Sequence, residues 1–321
     1  MKIVFTTYLP QEGFPRLQEE HLVLPDAPYG MLTHNELTRH LKDADILVAT
    51  FDYTIPESAI QKANQLRLIA NFGSGYNNLP MKLCEDKGII VTNTPQPVIE
   101  PTAEHAWAML HTLAHRTAEL DRKLRQPDSG GIRFGVMRNL GTALFGKTLG
   151  IIGMGNIGQA IARRALASGM KIVYHNRKRL SPIVEKQYNA TYVTFDTLLQ
   201  QSDVVSLNLP YYPEVHHLIS RTELAKMKPT ALLLNTARGT HINEADLAWA
   251  LQKGKIAGAA LDVFEHEPDI LPELLQLDNV VLSPHIGTGT WEGRISMCKC
   301  VEDNIINFKN NNINLLNQVT L

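Results

Sequence analysis

Gly153-Met154-Gly155-Asn156-Ile157-Gly158 is the segment whose residue types and spacing most directly imply a ligand. It follows Thr148-Leu149-Gly150-Ile151-Ile152, a β-rich apolar run, and leads into Ile157-Gly158-Gln159-Ala160-Ile161-Ala162, a good helix former. In that context a G-x-G-x-x-G sequence reads as a dinucleotide-binding turn. Gly153 permits the tight turn, Gly155 leaves room for a pyrophosphate against the backbone, and Gly158 lets the helix pack close to the sheet. Unpaired N–H groups at the helix start, around Asn156 and Ile157, then face the phosphates. The residue that reads the adenosine ribose should come about 20 positions on, which lands at Asn176. A carboxylate there would repel a 2′-phosphate. Asn176 is neutral instead, and Arg177, Lys178 and Arg179 follow it. Arg177 can stack or pair bidentately with a phosphate, and Lys178 can act as a point charge. The expected cofactor is NAD(P), with NADP(H) favoured over NAD(H).

These groups need elements to hold them. A domain's length of chain precedes the glycine motif, so the first domain is not the cofactor domain. It alternates apolar runs (Lys2–Thr6, Ile46–Thr50, Leu68–Asn71, Ile89–Thr92) with helical periodicity (Asn35–Leu41, Glu57–Ala63, Met81–Lys87), the pattern of a parallel sheet faced by helices. Asn93-Thr94-Pro95-Gln96-Pro97 marks a crossing. Pro101 to Arg125 reads as one long helix with an apolar stripe through Ala103, Ala106, Trp107, Leu110, Leu113 and Ala114, suited to domain packing or a dimer seam. A second alternating series starts at Lys147 with strands at Thr148–Gly153, Lys171–His175, Asp203–Asn208, Ala231–Asn235, Gly258–Asp262 and Asn279–Ser283. The residues after about 286 are too few for a third domain. The expected architecture is α/β with two doubly wound parallel-sheet domains. A Rossmann-type cofactor domain (100–286) is inserted into a smaller, flavodoxin-like substrate domain (1–99 plus 287–321).

Bulk properties narrow the partners. The 321 residues carry 31 Lys plus Arg against 32 Asp plus Glu, a net charge of −1, which gives no long-range field for nucleic acid or an anionic membrane. Apolar runs such as Ile46–Thr50 and Ala231–Leu234 are too short to cross a bilayer. The N-terminus lacks the apolar stretch and cleavage site of a signal peptide, and three cysteines (Cys84, Cys298, Cys300) fit a reducing compartment. A cytoplasmic protein is expected, with no metal site, and a homodimer as the default assembly. His216, His217, His241 and His266 read as surface residues.

From about residue 66 to 295 the sequence resembles the D-isomer-specific 2-hydroxyacid dehydrogenase family. The blocks that carry the resemblance are Gly73-Ser74-Gly75-Tyr76-Asn77-Asn78, Thr92-Asn93-Thr94-Pro95, Thr102-Ala103-Glu104 and Gly146 through Gly153. Ser202 through Pro210, Met227-Lys228-Pro229, Asn235-Thr236-Ala237-Arg238-Gly239, Leu261 through Pro268 and Pro284-His285-Ile286-Gly287 complete them. The glyoxylate/hydroxypyruvate reductase branch is nearest in flavour. Departures lie at Asn77, where the family usually has Asp, at Ser74, often apolar, and at Asn156, where Arg is frequent.

The resemblance implies a hydride transfer between NAD(P)H and C2 of a small 2-oxo or D-2-hydroxy acid, and the implied residues suit that chemistry. Arg238 would grip the carboxylate and help polarise the ketone. His285 would give the proton in reduction and accept it in oxidation. Glu267 would orient His285 and favour its imidazolium. Each of the three follows a strand of an open parallel sheet, where ligands bind. The same carry-over gives Ser74 and Gly75, as well as Arg238, contacts to the substrate. It places Leu209 and Pro210 as an apolar wall near adenine, and Thr236, Ala237 and Asp262 near the nicotinamide. Two other readings share the architecture: a formate-type dehydrogenase, and a nucleotide-sensing corepressor that binds without turnover.

Overall fold

The computed structural model describes residues 1–319. It divides into two compact units, Met1–Pro101 with the segment from Thr288 on, and Thr102–Gly287.

The first unit is built from runs that are buried on both faces, as strands of a covered parallel sheet must be. Its elements are β1 (Lys2–Phe5), β2 (His21–Val23), α1 (His34–Leu41), β3 (Ile46–Thr50), α2 (Glu57–Gln61), β4 (Leu68–Phe72), α3 (Met81–Asp86) and β5 (Ile90–Thr92). All pairings are parallel, in the order β2-β1-β3-β4-β5, the flavodoxin-like arrangement. Local signals set the helix starts. Thr33 caps α1 by accepting from the Glu36 N–H at 3.3 Å, while the Glu36 carboxylate accepts from the Thr33 N–H at 2.8 Å. Leu37 and Leu41 then point into a core with Val4, Leu47, Ile60, Ile69 and Val91.

Residues 99–125 are not one helix. The chain forms α4 (Ile99–Ala114) and α5 (Thr117–Leu124), broken at Arg116, which adopts the left-handed conformation (φ 58°, ψ 24°). Its guanidinium folds back onto the Glu119 carboxylate at 2.7 and 2.8 Å and also reaches the Leu140 carbonyl. Arg116, with Lys123, holds the Glu119 carboxyl down at about 2 against the opposing effect of its burial. The ion pair stabilises a corner that apolar spacing does not register.

The second unit continues with β6 (Thr148–Ile152), α6 (Asn156–Ala167), β7 (Lys171–His175), α7 (Pro182–Gln187), β8 (Ala190–Tyr192), α8 (Phe195–Gln201) and β9 (Val204–Leu207). After it come α9 (Arg221–Lys226), β10 (Leu232–Asn235), α10 (Glu244–Gln252), β11 (Gly258–Leu261), α11 (Pro272–Leu275) and β12 (Val280–Leu282). The seven strands are parallel in the order β12-β11-β10-β9-β6-β7-β8, so the sequence order reverses between β6 and β9. Such a switch point opens a crevice at the carboxyl ends of the strands. Leu207, Leu233, Leu247, Leu261 and Phe264 lie in the main core of this unit. The chain returns to the first unit through α12 (Trp291–Lys309), capped by Thr290, and α12 packs on β4. Among the described residues no helix is long and apolar enough to cross a membrane.

Candidate active site

The glycine turn is shaped as its residue types require. Gly153 has φ 89°, and a Cβ there would lie 2.8 Å from the Asn208 backbone. A Cβ on Gly158 would meet the Gly153 carbonyl at 2.6 Å, so only glycine lets α6 approach this closely. Gly155 differs: a Cβ there would meet nothing within 4 Å. The packing does not demand a glycine at 155, which leaves the space in front of it for something outside the protein. No side chain caps the start of α6, so its orphan N–H groups face that space. At the ends of β9 and β10, buried Asn208 Oδ1 and Thr236 Oγ1 also lack hydrogen-bond partners. Unfilled acceptor and hydroxyl positions beside an uncapped helix start fit a dinucleotide.

At the end of β7, Asn176 is tied to the glycine turn itself: its Oδ1 accepts from the Met154 N–H at 2.7 Å. Arg177 is exposed and its guanidinium lies over the Tyr212 ring, 4.4 Å from the centroid. Lys178 is exposed, whereas Arg179 is occupied by Glu185 at 2.8 and 2.9 Å. Leu209 is half-buried against the core and Pro210 is exposed beside it.

Arg238 stands just past β10 on a turn that Asn235 builds. Fully buried Asn235 accepts from the Ala237 N–H at 3.0 Å through Oδ1 and donates from Nδ2 to the Arg238 carbonyl at 2.9 Å. Gly239 allows the next close approach, since a Cβ there would overlap the Phe264 carbonyl carbon at 1.9 Å. The Arg238 guanidinium is partly buried and donates to the Ala237 carbonyl at 2.6 Å. Burial pushes its pKa down, and Glu267 pulls the other way.

Past β11, Glu267 accepts from the Phe264 N–H at 3.0 Å through Oε1 and meets His285 Nδ1 at 2.8 Å through Oε2. Burial opposes its ionisation, but His285 and the Phe264 amide outweigh that and hold its pKa below the ordinary carboxylate value. Both side chains of this pair remain about a third exposed, at 33% and 37%. His285 sits past β12 in the left-handed region, φ 51°, an uncommon conformation for a non-glycine residue. Its own N–H donates to the Asp262 carbonyl at 2.8 Å.

Asp262 is the fixed point of this loop. Its Oδ1 accepts from Ser283 Oγ at 2.6 Å and the Ile286 N–H at 2.9 Å, and lies 3.2 Å from His105 Nε2. Oδ2 accepts from the Gly287 N–H at 2.8 Å. Burial would raise its pKa, yet these donors hold it below the ordinary value. The carboxylate expected at the nicotinamide thus spends its oxygens on the loop that carries His285.

Arg238, Glu267 and His285 therefore share one unit, with Arg238 acting electrostatically on Glu267, which contacts His285. Ser74 and Gly75 belong to the other unit. There the carbonyls of the turn are all engaged: Asn71 Nδ2 donates to Gly75 at 2.7 Å, Asn93 Nδ2 to Ser74 at 2.8 Å and the Thr94 N–H to Gly73 at 3.0 Å. The Ser74 and Gly75 N–H groups meet no protein acceptor among the described residues.

Two expectations about histidines need correction. His241 is not at the surface; it is fully buried, and neither ring nitrogen reaches a hydrogen-bond partner. Burial first, then the charge of Arg238, pushes its pKa down to about 4, although the nearby Pro210 backbone favours the protonated ring. His217 is half-buried and bound to Glu265 at 2.5 Å. A histidine in a mixed polar segment carries no periodic signal of burial, so neither placement was visible in the residue pattern. Asn235 and His105 were missed as supporting residues for the same reason.

With the geometry in place, comparison with known proteins decides the family. The family model described as "D-isomer specific 2-hydroxyacid dehydrogenase, NAD binding domain" matches residues 107–287. The chain belongs to this family. A glyoxylate reductase of Pyrococcus furiosus is 40% identical over 314 residues, covering 97% of this chain and 93% of that one. The crystal structure of a glyoxylate reductase from Paecilomyes thermophila superposes with a TM-score of 0.82 at 32% identity, covering 96% and 94% of the two chains. That of an NADPH-dependent glyoxylate/hydroxypyruvate reductase from Sinorhizobium meliloti does so with 0.84 at 29% identity, covering 96% and 94%. This D-2-hydroxyacid dehydrogenase family member is an NAD(P)-linked oxidoreductase acting on CH–OH donors.

Proposed function

We propose that this enzyme reduces small 2-oxo acids, glyoxylate and hydroxypyruvate first among them, with NADPH as the preferred reductant. The observation that carries this reading is Arg238, a partly buried guanidinium whose recorded hydrogen bond goes to its own neighbour's carbonyl and which pairs with no carboxylate among the described residues. A cation withdrawn from water with no carboxylate in direct contact is costly, and a substrate carboxylate would supply that contact through two parallel hydrogen bonds. Held that way, the 2-oxo group is polarised by the same guanidinium.

The proton comes from His285. Its Nδ1 meets Glu267, so in this reading proton exchange runs through Nε2. The ionised Glu267 holds the ring in place and fixes which nitrogen faces away from it, and the reverse sequence serves oxidation. When bound, the reduced nicotinamide supplies the hydride to C2. Gly153, Gly155, Asn156, Ile157 and Gly158 would hold its pyrophosphate, with Thr236 and Ala237 near the ring. The Ser74 and Gly75 N–H groups, which meet no protein acceptor among the described residues, give the first unit donors of its own for an anionic group.

Preference for NADPH rests on the β7 terminus. Asn176 brings no negative charge to the ribose site, and Arg177 and Lys178 are both exposed there for a 2′-phosphate. A homodimer is supported by a segment of the second unit that leaves large apolar side chains in water: Phe134 is 91% exposed, Val136 93% and Met137 79%. Steady-state assays with NADPH and NADH against a panel of 2-oxo acids test the reading. Arg238→Ala should lower kcat/KM by roughly a hundredfold or more, the value of a lost charge-assisted pair, while NADPH binding followed by fluorescence stays near wild type. Ordinary turnover by that variant would remove Arg238 from the mechanism.

A further inference from the structure

We propose that His216, His217 and Glu265 form a binding site for a zinc-class divalent cation, which clips together the two segments that flank the Arg238 turn. The residue pattern predicts no metal, because no Cys or His pair has ligand spacing; the fold assembles the donors instead from two separate loops. One ligand atom from each of the three residues lies within 4.8 Å of the others. Two imidazoles and one carboxylate are a borderline-soft set that suits zinc and leaves a fourth position for water.

Tetrahedral zinc with bonds near 2.0–2.1 Å needs ligand atoms about 3.3 Å apart, so the cluster must adjust, and it has the freedom to do so. His216 is exposed and stacks on His217 with ring centroids 4.0 Å apart, so its ring can turn to aim a nitrogen inward. His217 and Glu265 already face each other at 2.5 Å and would part slightly around an ion. Charge favours a cation here. Glu244 accepts from the Glu265 N–H at 2.8 Å, which places a second carboxyl group beside the donor set.

The consequence follows from what the two segments hold. The His217 N–H donates to the Thr240 carbonyl at 2.8 Å, and Gly239 packs directly on the Phe264–Glu265 backbone. The turn that follows Arg238 is thus gripped from both sides by the residues that would share the ion. A cation bridging them would stiffen the setting of Arg238 without touching substrate.

The test uses the full-length protein stripped with a chelator and then titrated with Zn²⁺ by calorimetry and thermal unfolding. The expected result is one ion per chain and a rise in Tm that grows with free Zn²⁺. Replacing the exposed ligand, His216→Ala, should weaken binding by at least about tenfold and abolish the Tm rise while leaving the metal-free Tm unchanged. Glu265→Gln should weaken binding likewise, and Cys300→Ser should bind as wild type does. Absence of Zn²⁺ binding, or equal binding by His216→Ala and wild type, overturns the proposal.

Discussion

Replacing Asp262 by Asn separates two roles that the residue type alone does not distinguish. The substitution keeps one acceptor oxygen for Ser283 Oγ and the Ile286 N–H but turns the other into an NH₂ group facing the Gly287 N–H, which donates at 2.8 Å. An interior N–H left without an acceptor costs about 1–3 kcal/mol, and losing the charge weakens the remaining bonds by about 1 kcal/mol more. The sign is set by the depressed pKa of Asp262: its surroundings favour the carboxylate despite burial, so neutralising it removes net stability. A loss of about 3 kcal/mol lowers Tm by roughly 6–12 °C in a unit of this size. The stabilisation from ionised Asp262 is present above the ordinary value of 3.8 and disappears as pH falls through the lower folded-state value, so the Tm difference between variant and wild type should shrink in acid. Because the carboxylate braces the loop of His285, kcat should fall more than the KM for NADPH rises. Differential scanning fluorimetry against pH, paired with steady-state kinetics, reads both. A variant with Tm within about 2 °C of wild type and a selective rise in cofactor KM would show that the carboxylate serves the nicotinamide and not the loop.

Three further outcomes are expected. Gly155→Ala places a methyl group where the protein itself offers no contact, so Tm without cofactor should hold while the Kd for NADPH rises by tenfold or more, on the order of 1.4 kcal/mol; equal losses of stability and binding would contradict this. Asn176→Asp should shift the kcat/KM ratio toward NADH, and unchanged selectivity would mean that Arg177 and Lys178 do not read the 2′-phosphate. His241, neutral and buried with a pKa near 4 against an ordinary 6.5, should make the fold lose about 3 kcal/mol as pH drops from roughly 6.5 to 4, because the unfolded chain takes up the proton first. His241→Val should flatten that part of the Tm–pH curve.

How much of this was legible depended on which force fixed each feature. Strands buried on both faces announce themselves as apolar runs, and β3 and β7 begin and end where the residue pattern puts them. At the edges the signal depends on burial: β5 and β12 were readable, whereas β2 and β8, only partly buried and set among charged and polar neighbours, escaped the apolar pattern. The corner at Arg116 rests on an ion pair, which periodicity does not record. At the site, the glycine motif was readable because Gly153 and Gly158 answer steric demands of the fold and Gly155 keeps open space in front of the turn. Asp262 was not, since a carboxylate that holds a loop and one that holds a ligand look identical until its donors are known.

The first unit is completed by the last part of the chain. On the ribosome, β1 to β5 emerge well before α12, whose Met297, Cys298, Val301 and Ile305 are buried and whose Glu302 pairs with Arg16 across 286 positions of sequence. Until then the side of β4 that α12 covers has no partner, whereas every strand of the second unit has already been synthesised. Nascent chains should accordingly acquire a protease-resistant cofactor unit first, and depend on chaperones or on rapid elongation to shield the unfinished sheet.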